Sequence, residues 1–247
     1  MRNLILVGGP SRSGTVSTTS YLHLSDSVFM FSSGGPMIQL PKTPSDTWYT
    51  NKAFRPSTLA VGASKHNDLK SYINNKNKFG PENINPMYIG LRYDYAEKYR
   101  KTIFRLLQQY NTIKLIYCMR QDIEKLHISQ RHNSYQRDIP TFKDRIDASY
   151  KNAVALKQDK ELASNGFSIH AIDITVGGDD FISLDKFLGL EPNELQVKWQ
   201  QQNIQTNQRN PDKMKEVLKI KYNKVLLTQV VKYLELRYND TRMILNA

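Results

Sequence analysis

The residues best suited to chemistry lie in a short loop near the start of the chain, over residues 9–17. The loop reads GPSRSGTVS, follows the apolar run Asn3–Val7 and opens a helix-length segment. A glycine-rich turn at a helix N-terminus presents backbone N–H groups and the positive end of the helix dipole, so it favours a phosphate or sulfate group. The Arg12 guanidinium adds a cation. Hydroxyl donors to the same anion stand at Ser13, Thr15 and Ser17.

The glycine spacing of this loop partly matches that of a nucleoside triphosphate loop. Gly9 and Gly14 have the Walker spacing, whereas Thr15 and Val16 occupy the places of its lysine and its hydroxyl residue. A second candidate cation, Arg120, follows an apolar run at a point where a magnesium-dependent kinase would carry an acidic residue. Both departures count against a P-loop nucleotide kinase or nucleotide-binding relative, which is kept as the alternative hypothesis, as is a glycine-serine turn without any ligand.

The segment Ser11–Val16 resembles the 5′-phosphosulfate loop of sulfotransferases that use 3′-phosphoadenosine 5′-phosphosulfate (PAPS), commonly written Pro-Arg/Lys-Ser-Gly-Thr-Thr. It departs from that pattern at its first and last residues, and Ser17 offers a replacement hydroxyl. Arg120 at a strand end and Ser129 on the next helix resemble the pair that holds the nucleotide 3′-phosphate in this family. Their separation is nine residues instead of the usual eight. Residues 185–190 resemble a packing motif of the same family.

The resemblance implies an enzyme that transfers a sulfuryl group from PAPS to a hydroxyl or amine and leaves 3′-phosphoadenosine 5′-phosphate (PAP), with no metal required. It also implies a small-molecule or glycan acceptor, with no nucleic acid as partner. The residues that it places around the donor are Arg12, Ser13, Gly14, Thr15, Val16, Ser17, Arg120, Ser129 and Arg209.

Such a transfer requires a base for the acceptor proton and positive charge near the transferred group. His66 is the predicted base, because it follows the candidate strand Leu59–Ala63 and α/β sheets place ligands at strand ends. Lys65 and Arg12 are the predicted catalytic cations. Glu82 is the reserve base, since other branches of the family use a glutamate. Two further histidines, on the helix of Ser129, are candidates to flank the nucleotide: His127 and His132.

Alternating strand and helix signals predict one α/β domain over residues 1–247, with a mostly parallel central sheet flanked by helices. The resemblance adds a P-loop-like sulfotransferase fold. The predicted strands are Asn3–Val7, Leu59–Ala63, Ile113–Met119 and Phe167–Ile174. The predicted helices are Thr15–Leu24, Asp94–Gln109, Asp122–His132, Thr141–Ser164, a short one within 181–190 and a final one from Asn210, with residues 32–58 and 74–86 as loops.

Charge and composition limit the remaining classes. The net charge is +12, and the first 123 residues carry 16 basic against 7 acidic side chains. Such a basic half attracts polyanions, so a nucleic-acid-binding protein without catalysis is the third hypothesis. The single cysteine, Cys118, excludes a disulfide framework and indicates a cytoplasmic protein. Apolar runs are strand-sized, so we expect no membrane-spanning helix and no signal peptide.

Overall fold

A parallel β-sheet forms the centre of the computed structural model, which describes residues 3–32, 55–56, 67–92, 95–132, 138–176, 178–206 and 223–247. Its five parallel strands lie in the order β2-β4-β1-β5-β6, and a two-residue strand, β3, pairs antiparallel with β2 at the edge. The strands are β1 (Asn3–Gly8), β2 (Val28–Ser32), β3 (Arg55–Pro56), β4 (Tyr88–Arg92), β5 (Ile113–Cys118) and β6 (Phe167–Ile172). The predicted α/β class with a mostly parallel sheet is confirmed.

Helices cover both faces of this sheet. They are α1 (Thr15–His23), α2 (Asn67–Ile84), α3 (Arg100–Leu107), α4 (Ile123–His132), α5 (Ile139–Gln158), α6 (Lys160–Ser164), α7 (Gly178–Leu188), α8 (Glu194–Thr206) and α9 (Lys224–Asn246). A short 3-10 turn, Ala96–Lys98, follows β4. None of the described helices combines the length and apolar character needed to cross a lipid bilayer.

Alternate residues of the strands enter opposite core layers, as the two-residue period of a strand requires. In β1, Leu4 and Leu6 lie in a layer closed by α3, α4, α5, α6 and α9. Ile5 and Val7 lie in the second layer, which α1, α2, α7 and α8 cover. Because β1 is buried on both faces, its sequence is a continuous apolar run instead of an alternating one.

The carboxyl ends of three adjacent strands meet at one edge of the sheet. Val7 of β1 is in register with Arg92 of β4, and Gly8 is in register with Tyr117 of β5. The loop after β1 therefore lies between the end of β4 and the end of β5. This edge brings together segments that are far apart in the sequence.

The helix predicted after the loop is confirmed, although serine and threonine are poor helix formers. Burial explains the outcome, since seven of the nine α1 residues are buried. The hydroxyls of Thr19 and Ser20 donate to the carbonyls of Thr15 and Val16 one turn earlier, at 2.7 and 3.1 Å. These bonds satisfy the hydroxyl groups inside the core.

The prediction of a loop over the asparagine-rich residues 74–86 is wrong, because α2 continues through most of them. Leu69 and Ile73, one turn apart, are buried in the second core layer. The Lys76 ammonium, one turn further on, donates to the carbonyl of His23 at 2.9 Å. The helix breaks only at Gly80, whose φ is +73°. Tertiary packing of one helix face has overridden the loop-forming composition.

Two predicted helix starts also differ from the structure. The Asp138 carboxylate accepts the Thr141 N–H at 2.7 Å, so Asp138 and not Thr141 caps α5. Helix α3 begins at Arg100, after the 3-10 turn, and its predicted cap Asp94 lies outside the described residues. Two further predictions also lie outside them: the strand Leu59–Ala63 and the helix start at Asn210.

Candidate anion-binding site

The loop between β1 and α1, residues 9–14, is a tight turn that requires glycine at its first position. Gly9 has a φ of +113°, and a Cβ there would lie 2.3 Å from the carbonyl oxygen of Cys118 on β5. The loop thus passes directly over the neighbouring strand. Gly14, with a φ of +103°, is the N-cap of α1 and supplies no side-chain cap. The first-turn N–H groups of α1 consequently have no acceptor from that position or from the helix.

The carbonyls of this loop are turned toward the protein. Those of Gly9, Pro10 and Ser11 accept hydrogen bonds from Tyr95 N, Ser13 N and Gln130 Nε2, at 2.9, 3.2 and 2.7 Å. The Ser13 hydroxyl, fully buried, also donates to the Pro10 carbonyl at 2.6 Å. Both donors of Ser13 therefore serve the turn itself, which differs from the predicted hydroxyl contact with an anion. The tightness of the turn is the physical reason.

Arg12, Arg120 and Ser129 come together on one side of the loop. The Arg12 Nε donates to the Ser129 Oγ at 3.0 Å, and an Arg120 terminal nitrogen lies 3.5 Å from the Arg12 carbonyl oxygen. These residues lie in the loop, after β5 and on α4. Three residues that were singled out in separate segments thus form one cluster, despite the nine-residue spacing between Arg120 and Ser129.

A cavity of about 310 Å³ opens over this cluster. Arg92, at the end of β4, adds a third guanidinium that the sequence analysis did not single out. Thr175 and Ile174, after β6, complete the wall. The described residues that line it contain no carboxylate: Ser11, Arg12, Gly14, Thr15, Val16, Ser17, Arg92, Arg120, Ser129, Ile174 and Thr175. Three guanidinium groups beside a helix N-terminus make this cavity strongly attractive to anions.

The electrostatics of Arg120 favour an anionic ligand in particular. Burial lowers the pKa of its guanidinium, the nearby Arg12 lowers it further, and Asp122 and Asp173 act in the opposite direction. Its Nε is buried and has no hydrogen-bond partner among the described residues. A partly buried arginine with an unsatisfied donor gains both charge compensation and a hydrogen bond from a phosphate or sulfate.

A buried carboxylate behind the cavity fixes the loops that follow β5 and β6. Asp173 is fully buried and accepts the Gln121 N–H at 2.5 Å and the Tyr238 hydroxyl at 3.1 Å. It also accepts the backbone N–H and hydroxyl of Thr175, at 2.9 and 2.6 Å. Asp173 therefore determines where Thr175 and the residue after Arg120 lie.

We expect Asp173→Asn to lower the free energy of unfolding by roughly 2–3 kcal/mol, because its amide nitrogen would face donors in a buried site. Urea denaturation followed by circular dichroism measures the change. Asp179→Asn, at an exposed position on α7, is the matched control and should stay within about 0.5 kcal/mol of wild type. Equal stability of both variants would contradict the positioning role of Asp173.

The described histidines do not offer a base at the cavity. His23 is buried, with Nδ1 accepting from the Met30 N–H, and burial lowers its pKa to about 3. His127 was expected to flank the nucleotide, but it is buried and packs edge-on against Phe142 with ring centroids 4.8 Å apart. His170 stacks on a ring of α7, and burial lowers its pKa to about 4.

Several predicted residues lie elsewhere. Glu82 belongs to the last turns of α2, which lead to the amino end of β4, whereas the cavity lies at the carboxyl ends of the strands. Its predicted loop position is therefore wrong, while its role as reserve base stays a prediction, since the side chain of Glu82 is not described. The predicted base His66, its neighbour Lys65 and the donor contact Arg209 lie outside the described residues, and the side chain of His132 is not described.

Comparison with known proteins shows which solved structures share this architecture. No protein-family model and no curated protein matches the sequence. Among solved structures, a sulfotransferase domain from the curacin biosynthetic pathway matches 95% of this chain and 98% of its own, with a TM-score of 0.52 and 14% identity. A sulfotransferase domain from the Synechococcus PCC 7002 olefin synthase matches 94% of both chains, with a TM-score of 0.49 and 10% identity. The likeness to the curacin-pathway domain shows that the chain has the fold of a sulfotransferase domain.

Proposed function

We propose that this protein transfers a sulfuryl group from PAPS to a hydroxyl or amine of a small-molecule or glycan acceptor. The observation that carries the proposal is the cluster of Arg12, Arg120 and Ser129 beside the loop after β1. Its members are the residues that the sequence resemblance assigns to the donor, and the fold is that of sulfotransferase domains. The same cavity also has an unsatisfied buried donor, the Nε of Arg120, which fits an anionic ligand.

The residues present fit a donor with two separate anionic groups. Arg120 and Ser129 would hold the 3′-phosphate, while the N–H groups at the start of α1 and the Arg12 guanidinium would hold the phosphosulfate. When bound, the donor supplies the activated sulfuryl group. The protein itself contributes positive charge and a fixed loop, so charge that develops on the leaving oxygen is stabilised without rearrangement.

Arg92 extends this positive charge to the other side of β1. Strands β4 and β5 both neighbour β1, so Arg92 and the end of β5 are separated by two strand spacings, on the order of 10 Å. A cation at that position can neutralise the transferred group or an acceptor oxygen, while Arg120 holds the far end of the nucleotide. The base that takes the acceptor proton is proposed to be His66, with Lys65 beside it.

Calorimetric titration with PAP tests the proposal, with ATP and 5′-AMP as controls at one fixed salt concentration, because polyanion binding depends on salt. We expect PAP to bind about 10- to 100-fold more tightly than 5′-AMP, since a second phosphate adds charge-assisted hydrogen bonds. Sulfate transfer to an acceptor panel then follows. ATP binding as tight as PAP binding would favour a kinase-like protein. No nucleotide binding above the nonspecific level would favour a polyanion-binding protein.

A further inference from the structure

A buried glutamate lies directly beneath the anion-binding loop. Glu97 belongs to the 3-10 turn after β4 and is 2% exposed. This turn packs tightly on the loop: the Tyr95 N–H donates to the Gly9 carbonyl at 2.9 Å, and a Cβ on Gly8 would lie 2.7 Å from the Cβ of Ala96. Glu97 is therefore an acidic group behind a loop whose front face is built to attract anions.

The surroundings of Glu97 compensate its charge poorly. One carboxylate oxygen, Oε1, accepts the hydroxyl of Ser149, which lies 2.6 Å from the Tyr117 hydroxyl. The other oxygen, Oε2, is buried without a hydrogen-bond partner among the described residues. The neighbouring Lys98 ammonium lies over the Tyr95 ring, 4.1 Å from its centroid, and within the described part of the chain no ion pair reaches Glu97.

The protonation of Glu97 is consequently balanced near neutrality. Burial raises the pKa of this carboxyl to about 7. The Ser149 hydrogen bond, the backbone N–H groups of Glu97 and Gly9, and the Lys98 charge act in the opposite direction and lower it. The Tyr117 hydroxyl, which contacts the same Ser149, stays neutral in this range, because burial and the Glu97 charge raise its pKa well above its ordinary value.

We propose that Glu97 takes up a proton when an anion binds the loop, so that donor binding weakens as the pH rises above neutrality. The inference rests on the proposed function, because it needs a donor that binds this loop. An ionised Glu97, behind the Gly9 peptide, repels an anion bound at the front of the loop. A neutral Glu97 does not, so the bound state favours the protonated carboxyl.

The direction of the pH dependence follows from the linkage between proton binding and donor binding. Below about pH 7 the Glu97 carboxyl is already neutral and binding involves no proton. Above that pH it must bind a proton first, and the affinity for PAP should fall by up to about tenfold per pH unit, until the pH exceeds the pKa of the bound state. The Glu97→Gln variant lacks this titration, and its affinity should stay nearly flat apart from the titration of the ligand phosphates.

Calorimetry with PAP in Bis-tris and in Tris, at pH 7 and pH 8, counts the protons taken up, because the two buffers differ in ionisation enthalpy. PAP itself exchanges protons, so the wild-type value is compared with that of Glu97→Gln. We expect wild type to take up about 0.3–0.5 proton more than Glu97→Gln at pH 7. Glu235→Gln, an exposed change on α9, is the matched control and should behave as wild type.

A second variant keeps the test valid if Glu97→Gln does not fold. Ser149→Ala removes a hydrogen bond that favours the ionised carboxyl, so the pH above which PAP affinity falls should move upward. Two results would overturn this inference and leave the proposed function intact. One is tight PAP binding with equal proton uptake in wild type and Glu97→Gln; the other is an unchanged pH profile of PAP affinity in Ser149→Ala. If wild type does not bind PAP at any pH, the proposed function fails and the inference falls with it.

Discussion

Replacing Arg120 with alanine is expected to weaken PAP binding by roughly 30- to 150-fold, which corresponds to about 2–3 kcal/mol, while the stability of the protein stays the same or rises slightly. The loss of affinity follows from the loss of charge-assisted hydrogen bonds to a phosphate. Stability should not fall, because burial and Arg12 both act against the Arg120 charge in the protein without ligand. Titration calorimetry and urea denaturation on the same samples measure the two effects.

Arg100→Ala is the control for the simple removal of a positive charge. Arg100 is exposed, pairs with Asp159 and Glu161, and is not among the residues that line the cavity. Its loss should leave PAP affinity within about twofold of wild type, since exposed ion pairs contribute little. The site assignment would be wrong if Arg120→Ala and Arg12→Ala both bound PAP as wild type does.

Gly9→Ala is expected to lower the free energy of unfolding by roughly 3 kcal/mol or more, or to prevent folding. Two effects add: an alanine would occupy a positive φ that side chains disfavour, and its Cβ would overlap the Cys118 carbonyl of β5. The Cys118 carbonyl belongs to the backbone of β5, which pairs with a strand on each side, so it has little freedom to move. Soluble yield and urea denaturation give the measurement.

Gly178→Ala provides the matched control for this change. Gly178 starts α7, and a Cβ there would meet no heavy atom within 4 Å. Alanine is also the better helix former, so stability should be unchanged or rise by up to about 1 kcal/mol. If Gly9→Ala were as stable as Gly178→Ala, the close approach of loop and strand would not exist in solution.

Strand prediction succeeded for two strands that burial on both faces leaves as continuous apolar runs, β1 and β5, which were predicted almost to the residue. β2 was missed, although its first four residues also form a buried apolar run. β4 was missed, because Gly90 interrupts its apolar run and Arg92 ends it. The Met30 side chain of β2 packs into the space that Gly90 leaves, since a Cβ there would lie 1.8 Å from its sulfur. This packing comes from a neighbouring strand and leaves no local signal.

The same reasoning separates the predictable part of the site from the rest. The loop and Arg120 carry local signals, a glycine-rich turn and an arginine after an apolar run, and could be found in the sequence. The contact between Arg12 and Ser129 depends on how α4 packs beside the loop. Arg92 became a candidate only once β4 was placed next to β1. No local sequence pattern predicts the parallel pairing of two strands that are more than eighty residues apart.

The inward-facing carbonyls of the loop reduce the conformational entropy that is lost when a ligand binds. Each of the carbonyls of Gly9, Pro10 and Ser11 is already held by a donor of the protein. The backbone order of this segment is therefore fixed during folding and does not have to be created on association. An arriving anion meets a rigid surface, so more of the attraction between opposite charges is retained as binding affinity.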